Sequence, residues 1–107
     1  MGYVYLLVDW GSSPERFKIG ITKNDVDKRI KQLQTGNANE IVLVQSYETE
    51  NYRKVESWLH RKYAPYSTDG GKEWFQLPND DALNFINECQ KIDETVQLLI
   101  DSGNPFV

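Results

Sequence analysis

Two apolar stretches, close together in the sequence, constrain this chain more than anything else in it. Tyr3-Val4-Tyr5-Leu6-Leu7-Val8 and Arg16-Phe17-Lys18-Ile19-Gly20-Ile21-Thr22 run or alternate apolar, the pattern of strands. Between them lies Asp9-Trp10-Gly11-Ser12-Ser13-Pro14-Glu15, a cluster of turn formers. Two strands joined this way predict a β-hairpin, with Tyr5 and Lys18 near each other on one sheet. Gly20 leaves room there for close approach of a ligand or of another backbone.

The rest of the chain reads as elements that cover this hairpin. Val26, Ile30 and Leu33 fall at helical spacing, with Asn24 as a cap, Asp25 and Asp27 in the first turn and Gly36 at the end. Taking about 100° per residue, Arg29 lies about 60° from the centre of that stripe and leans toward the sheet edge, while Lys28 and Lys31 point outward. Ile41 to Glu48 reads as a third strand, and its four consecutive aliphatic residues predict cover on both faces. Residues 51–63 form a second helix with an apolar stripe of Tyr52, Val55, Leu59 and Tyr63. Glu56 falls within about 40° of Tyr52, inside the stripe, and His60 follows one turn later; Arg53, Lys54 and Arg61 point away. A carboxylate on the buried side of a helix is costly unless it is paired or binds a metal.

Ala64 to Lys72, with Pro65, Gly70 and Gly71, reads as a loop, and Glu73 to Leu77 as a short strand or extended segment. A third helix starts after Pro78-Asn79. Its long apolar stripe runs from Ala82 and Phe85 to Leu99 and Ile100, and Gly103 and Pro105 close it. The expected architecture is α+β: a small three-stranded, mainly antiparallel sheet flanked by helices, with a C-terminal amphipathic covering helix. Residues 1–107 make one domain, with a core over 1–77 and the covering helix over 78–107.

Charge narrows the function. The chain of 107 residues has a net charge of −4, which argues against a strongly basic binder. The charge is uneven, however. Residues 1–77 carry 11 bases and 10 acids, whereas 78–107 carry 1 and 6. From Arg16 to Lys31 there are six bases and two acids, a modest basic stripe that also suits a solvated helix face. A lone cysteine, Cys89, excludes an internal disulfide and a cysteine-based zinc site. No apolar run approaches the roughly 18 residues of a membrane span, and the chain opens directly on a strand pattern. An intracellular, cytoplasmic setting without membrane contact fits these features.

Tyr3-Val4-Tyr5, then Lys18-Ile19-Gly20, then Arg29 and then Glu56 on successive helices, resembles the GIY-YIG nuclease superfamily. The likeness is to its short phage-type branch, where the second tripeptide often reads Lys-Ile-Gly. A Glu-x-x-x-His helix and a Glu-Trp-Phe segment often follow there; here these are Glu56 to His60 and Glu73 to Phe75. The resemblance covers residues 3 to about 77 and rests on the ordered set, since no single piece is specific.

The resemblance implies an endonuclease that hydrolyses DNA phosphodiester bonds with one metal ion, double-stranded DNA being the expected partner. Glu56 would hold Mg²⁺, for which Mn²⁺ substitutes, since one carboxylate with several waters suits that ion. Arg29 would neutralise the scissile phosphate, and Tyr5 would activate or position the attacking water, given a cation to lower its pKa. Lys18, standing where most members carry the second tyrosine, would supply that cation or take the proton itself. His60 would assist the leaving oxygen or bind a phosphate. Tyr3, Gly20 and Lys23 are assigned to substrate binding.

Each of these residues has a structural alternative: Tyr5 as a core aromatic, Lys18 as a solvated strand residue, Arg29 as a helix-edge charge, His60 as a surface histidine, Glu73 as an edge-strand charge. The family's late asparagine has only positional candidates in Asn79, Asn84 and Asn87. A non-cleaving nucleic-acid-binding module on the same fold is the main rival, and a protein-interaction domain anchored on Trp10, Trp58 or Trp74 is a third reading. Members of that family usually take specificity from an attached DNA-binding domain, which the sequence does not show; a partner subunit, a homodimer or loose specificity would each fill that gap.

Overall fold

The alternation at the N-terminus folds as a long hairpin. In the computed structural model, which describes residues 1–68 and 71–103, β1 (Gly2–Trp10) and β2 (Arg16–Thr22) pair antiparallel from Tyr3 opposite Thr22 to Asp9 opposite Arg16. The turn uses Gly11 at φ 99°, a left-handed conformation that glycine adopts without steric cost, and Ser12 Oγ donates to Asp9 O at 2.7 Å. α1 (Val26–Gln34) follows, then β3 (Glu40–Thr49), α2 (Tyr52–Lys62) and a turn of 3₁₀ helix at Ala64–Tyr66. β4 (Ser67–Thr68), β5 (Gly71–Phe75), α3 (Asn79–Leu83) and α4 (Phe85–Asp101) complete the described chain.

The fold is α+β, an antiparallel sheet flanked by helices, with five strands in the order β3-β1-β2-β5-β4 rather than three. The two additional strands are short. β5 pairs with β2 only at Phe17–Phe75 and Lys18–Trp74, and β4 contributes two residues inside what the sequence presents as a loop. Gly70 of that loop, and Pro105 at the expected end of the last helix, lie outside the described residues.

The pleat divides the hairpin between two layers. Tyr5 and Leu7 join Ile41 under α1, whose Val26, Ile30 and Leu33 close over them. Val4, Leu6, Val8, Phe17 and Ile19 face the larger core, built with Tyr52, Val55 and Leu59 of α2 and Phe85, Cys89, Ile92 and Val96 of α4. β3 is an edge strand, yet its aliphatic run is largely covered from both sides: Val42 packs on the larger core and Leu43 on the smaller. Val44 is the exception. The register slips so that Leu6 faces Gln45 and Leu7 faces Leu43, leaving Val44 at a bulge and 38% exposed.

Two helix boundaries differ from the expectation. Asp25, not Asn24, caps α1, accepting the Asp27 N–H at 2.8 Å. The C-terminal segment breaks at Asn84 into two helices, and its apolar stripe outruns the core, leaving Ile100 exposed at its end. Tyr47 and Asn51 both donate to Asp93, at 2.7 and 2.9 Å, tying α4 to β3 and to the start of α2. Among the described residues no helix is long and apolar enough to cross a membrane.

Candidate active site

The β2–β5 ladder stops after Lys18, so β2 runs on from Ile19 with an open edge. α2 fills that gap. His60 Nε2 lies 2.9 Å from Ile19 O; a carbonyl can only accept, so Nε2 carries the proton and Nδ1 is the nitrogen left over. The ring packs against Phe75, centroids 5.4 Å apart. One turn earlier stands Glu56, half-buried, with Oε2 shielded from solvent and, among the described residues, without a hydrogen-bond partner. Burial raises its pKa; the nearby charges of His60, Lys18 and Arg53 pull it down, and Glu73 pushes it up.

From the other layer comes Tyr5, 1% exposed, directly opposite Gly20. The room at Gly20 is taken by the phenol itself, since a Cβ there would lie 2.5 Å from the Tyr5 hydroxyl. Burial is the main influence on Tyr5 and raises its pKa, outweighing hydrogen bonding and charge from the Arg29 guanidinium, which lower it; Glu73 and Glu56 raise it further. The hydroxyl therefore keeps its proton at neutral pH. It is suited to donate to an anion or to orient a water, and less suited to act as a phenolate base.

Lys18 lies on the same face of the hairpin as Tyr5, as its diagonal neighbour in the register. It faces Leu7, two residues along from the Tyr5–Gly20 pair, and its Nζ binds Glu73 Oε2 at 2.5 Å. It is 7% exposed, so it is not a solvated strand residue. The cation at the Tyr5 hydroxyl is Arg29. Arg29 also donates to Gln32 at 3.3 Å and lines a depression of about 660 Å³ with Lys28 and Lys31.

Tyr3 and Lys23 are grouped apart from this cluster. They line an adjoining depression of about 620 Å³, which shares Asn24 and Asp25 with the Arg29 depression and adds Asp27, with Lys23 as its one base. Tyr3 hydrogen-bonds to Glu48, which raises its pKa. Acidic walls make this a poorer place for a phosphate than the Arg29 side. Asn84 and Asn87 bond to one another at the α3–α4 junction.

Glu73, weighed from the sequence mainly as an edge-strand charge, links Lys18 to the field at both Glu56 and Tyr5. One feature was not singled out from the sequence. Asp9, in the turn cluster, is fully buried and pairs with Arg16 at 2.5 Å. Arg16 and Lys18 both lie over the Trp74 ring, at 5.0 and 5.5 Å, so Trp74 packs between charged groups. Trp10 remains 61% exposed.

Among the described residues no group of three or more metal-ligating side chains assembles. Glu56 offers a shielded, unpartnered oxygen, and oxygen donors of this kind suit a hard cation that keeps most of its water. A family model described as T5orf172 domain matches residues 2–90. Comparisons with curated proteins and with solved structures gave no match.

Proposed function

Because that match spans most of its length, the chain belongs to the T5orf172 domain family, which is phage-associated and found in nuclease settings, and we propose that it is a Mg²⁺-dependent endonuclease of GIY-YIG type acting on DNA. The observation that carries this reading is the unpartnered Glu56 oxygen at the open edge of β2, within the electrostatic reach of His60, Lys18 and Glu73 and of the Tyr5 that Arg29 contacts. Asp9 Oδ1 and Gln45 Oε1 are shielded without a partner as well among the described residues; what supports a ligand at Glu56 is that its oxygen lies among the charges of His60, Lys18 and Glu73, at a site where an ion could supply the missing partner.

Glu56 would hold the ion, which when bound supplies Lewis-acid stabilisation of the departing oxygen. Arg29 presents a fork of donors to the scissile phosphate as its charge builds. The protonated Tyr5 hydroxyl, steadied by Arg29, orients the attacking water or a phosphate oxygen. Lys18, fixed by Glu73, contributes a stationary positive charge, and His60 keeps Nδ1 for a proton or a phosphate contact.

The test is nicking of supercoiled plasmid with Mg²⁺ or Mn²⁺. Wild type should nick, while Glu56→Ala and Arg29→Ala should lose nicking and keep DNA binding. Binding without nicking under every divalent ion would leave the non-cleaving module as the correct reading.

A further inference from the structure

We propose that the outward ridge of α2, Arg53–Ser57–Arg61, carries the phosphate backbone of the nucleic acid alongside the Glu56 site. The inference rests on the nucleic-acid reading above but not on cleavage. The three residues are spaced i, i+4, i+8 and all are exposed, so they form one row on the helix surface. At about 100° per residue this row is the immediate neighbour of the Glu56–His60 row. The near end of the ridge lies within electrostatic range of the site: the positive charge of Arg53 helps lower the Glu56 pKa against the effect of burial.

The guanidiniums at the two ends are held in the same unusual way. Arg53 lies over the Tyr52 ring at 5.5 Å and Arg61 over the Trp58 ring at 5.7 Å. Among the described residues neither makes a salt bridge, whereas Arg16, Lys18 and Lys62 pair with Asp9, Glu73 and Glu88. A planar cation laid on an aromatic face is pre-oriented yet keeps its donors available for a phosphate. Across residues 52–62 there are four bases and one acid in a chain whose net charge is −4. At about 1.5 Å rise per residue the ridge is about 12 Å long, and one strand presents a phosphate about every 3.4 Å of duplex axis. A strand following the ridge therefore offers a phosphate to each arginine, with Ser57 between them as a neutral donor.

The test is duplex DNA binding by fluorescence anisotropy across about 50 to about 200 mM salt, in a Glu56→Gln background so that no cutting intervenes. Arg53→Ala and Arg61→Ala should each reduce the slope of log K against log salt by about 0.9, and the double variant by about 1.8. Ser57→Glu, a carboxylate set mid-ridge, should weaken binding at low salt by at least tenfold. Lys91→Ala on α4 is the control and should leave the slope unchanged. Circular dichroism verifies that the variants fold. An unchanged slope in the folded double variant overturns the proposal, including the case where the double variant instead loses affinity for an acidic peptide. Slope loss with no nicking by wild type supports the ridge and removes the hydrolase; nicking with unchanged slopes does the reverse.

Discussion

Gly20→Ala tests the geometry of the site most directly. A Cβ at residue 20 would lie 2.5 Å from the Tyr5 hydroxyl oxygen, 2.6 Å from Cζ and 2.8 Å from Cε1. Non-bonded heavy atoms rest at about 3.5–4.0 Å, so the phenol must retreat by about 1 Å. It has little room, being 1% exposed under Val26, Ile30 and Leu33 of α1. Overpacking of this kind costs about 1–3 kcal/mol, offset by the about 0.5–1 kcal/mol that alanine gains over glycine inside a strand. The net expectation is a loss of about 1 kcal/mol in equilibrium urea unfolding. The decisive comparison is the same change in a Tyr5→Leu background, which lacks all three crowded atoms. There Gly20→Ala should become stabilising by about 0.5–1 kcal/mol, a coupling of about 2 kcal/mol between the two sites. In the parent, displacing the hydroxyl by about 1 Å should also reduce plasmid nicking by about 10²-fold. Equal effects of Gly20→Ala in both backgrounds would refute the claim that this glycine exists to admit the phenol.

Burial holds the Glu56 pKa above its ordinary value, so the ionised form is the one the fold disfavours. Glu56→Gln should therefore raise the melting temperature of metal-free protein at neutral pH. That gain should fade as pH falls toward about 4, where the wild-type carboxyl is protonated in both folded and unfolded states. Adding Mg²⁺ should raise the melting temperature of wild type and not of Glu56→Gln. Glu73→Ala strands the Lys18 ammonium, whose side chain is only 9% exposed; because the Glu73 side chain is 46% exposed, the cost in urea unfolding should be about 1–2 kcal/mol, below the about 3–5 of a fully buried pair. Cys89 is completely buried, and burial pushes its thiol up to about 12. It should resist a disulfide reagent at pH about 8 in the native protein and react promptly in urea.

What was legible in the sequence follows from how local each signal is. The hairpin could be read because alternation over β1 and β2 is dictated by one buried face on each side, and the α2 stripe because Tyr52, Val55, Leu59 and Tyr63 all enter one core. β5 was legible as a short strand or extended segment over Glu73 to Leu77 but without its place in the sheet, and β4 was not legible, since two residues of pairing at Ser67–Thr68 leave no periodicity to find. The neighbours of Lys18 were hidden for a different reason. Composition places a lysine near a tyrosine on a hairpin, but only the register puts Lys18 opposite Leu7 and gives the Tyr5 hydroxyl to Arg29. The partner that Lys18 does have, Glu73, lies 55 residues away on a strand whose pairing the sequence did not announce.

The termination of the β2–β5 ladder explains why these groups meet. Had β5 continued along β2 past Lys18, its backbone would have covered the edge that His60 now reaches, and α2 could not have approached Ile19. A carbonyl left open at a sheet edge must find a donor, and the His60 imidazole supplies one. Satisfying that carbonyl also sets the rotation of α2 about its own axis. With His60 on Ile19 and with Val55 and Leu59 in the core, Glu56 is turned to the same edge. The position of the shielded carboxylate is thus a consequence of closing a shortened ladder with a helix. The same closure leaves the neighbouring row of α2, the arginine ridge, facing solvent beside the carboxylate.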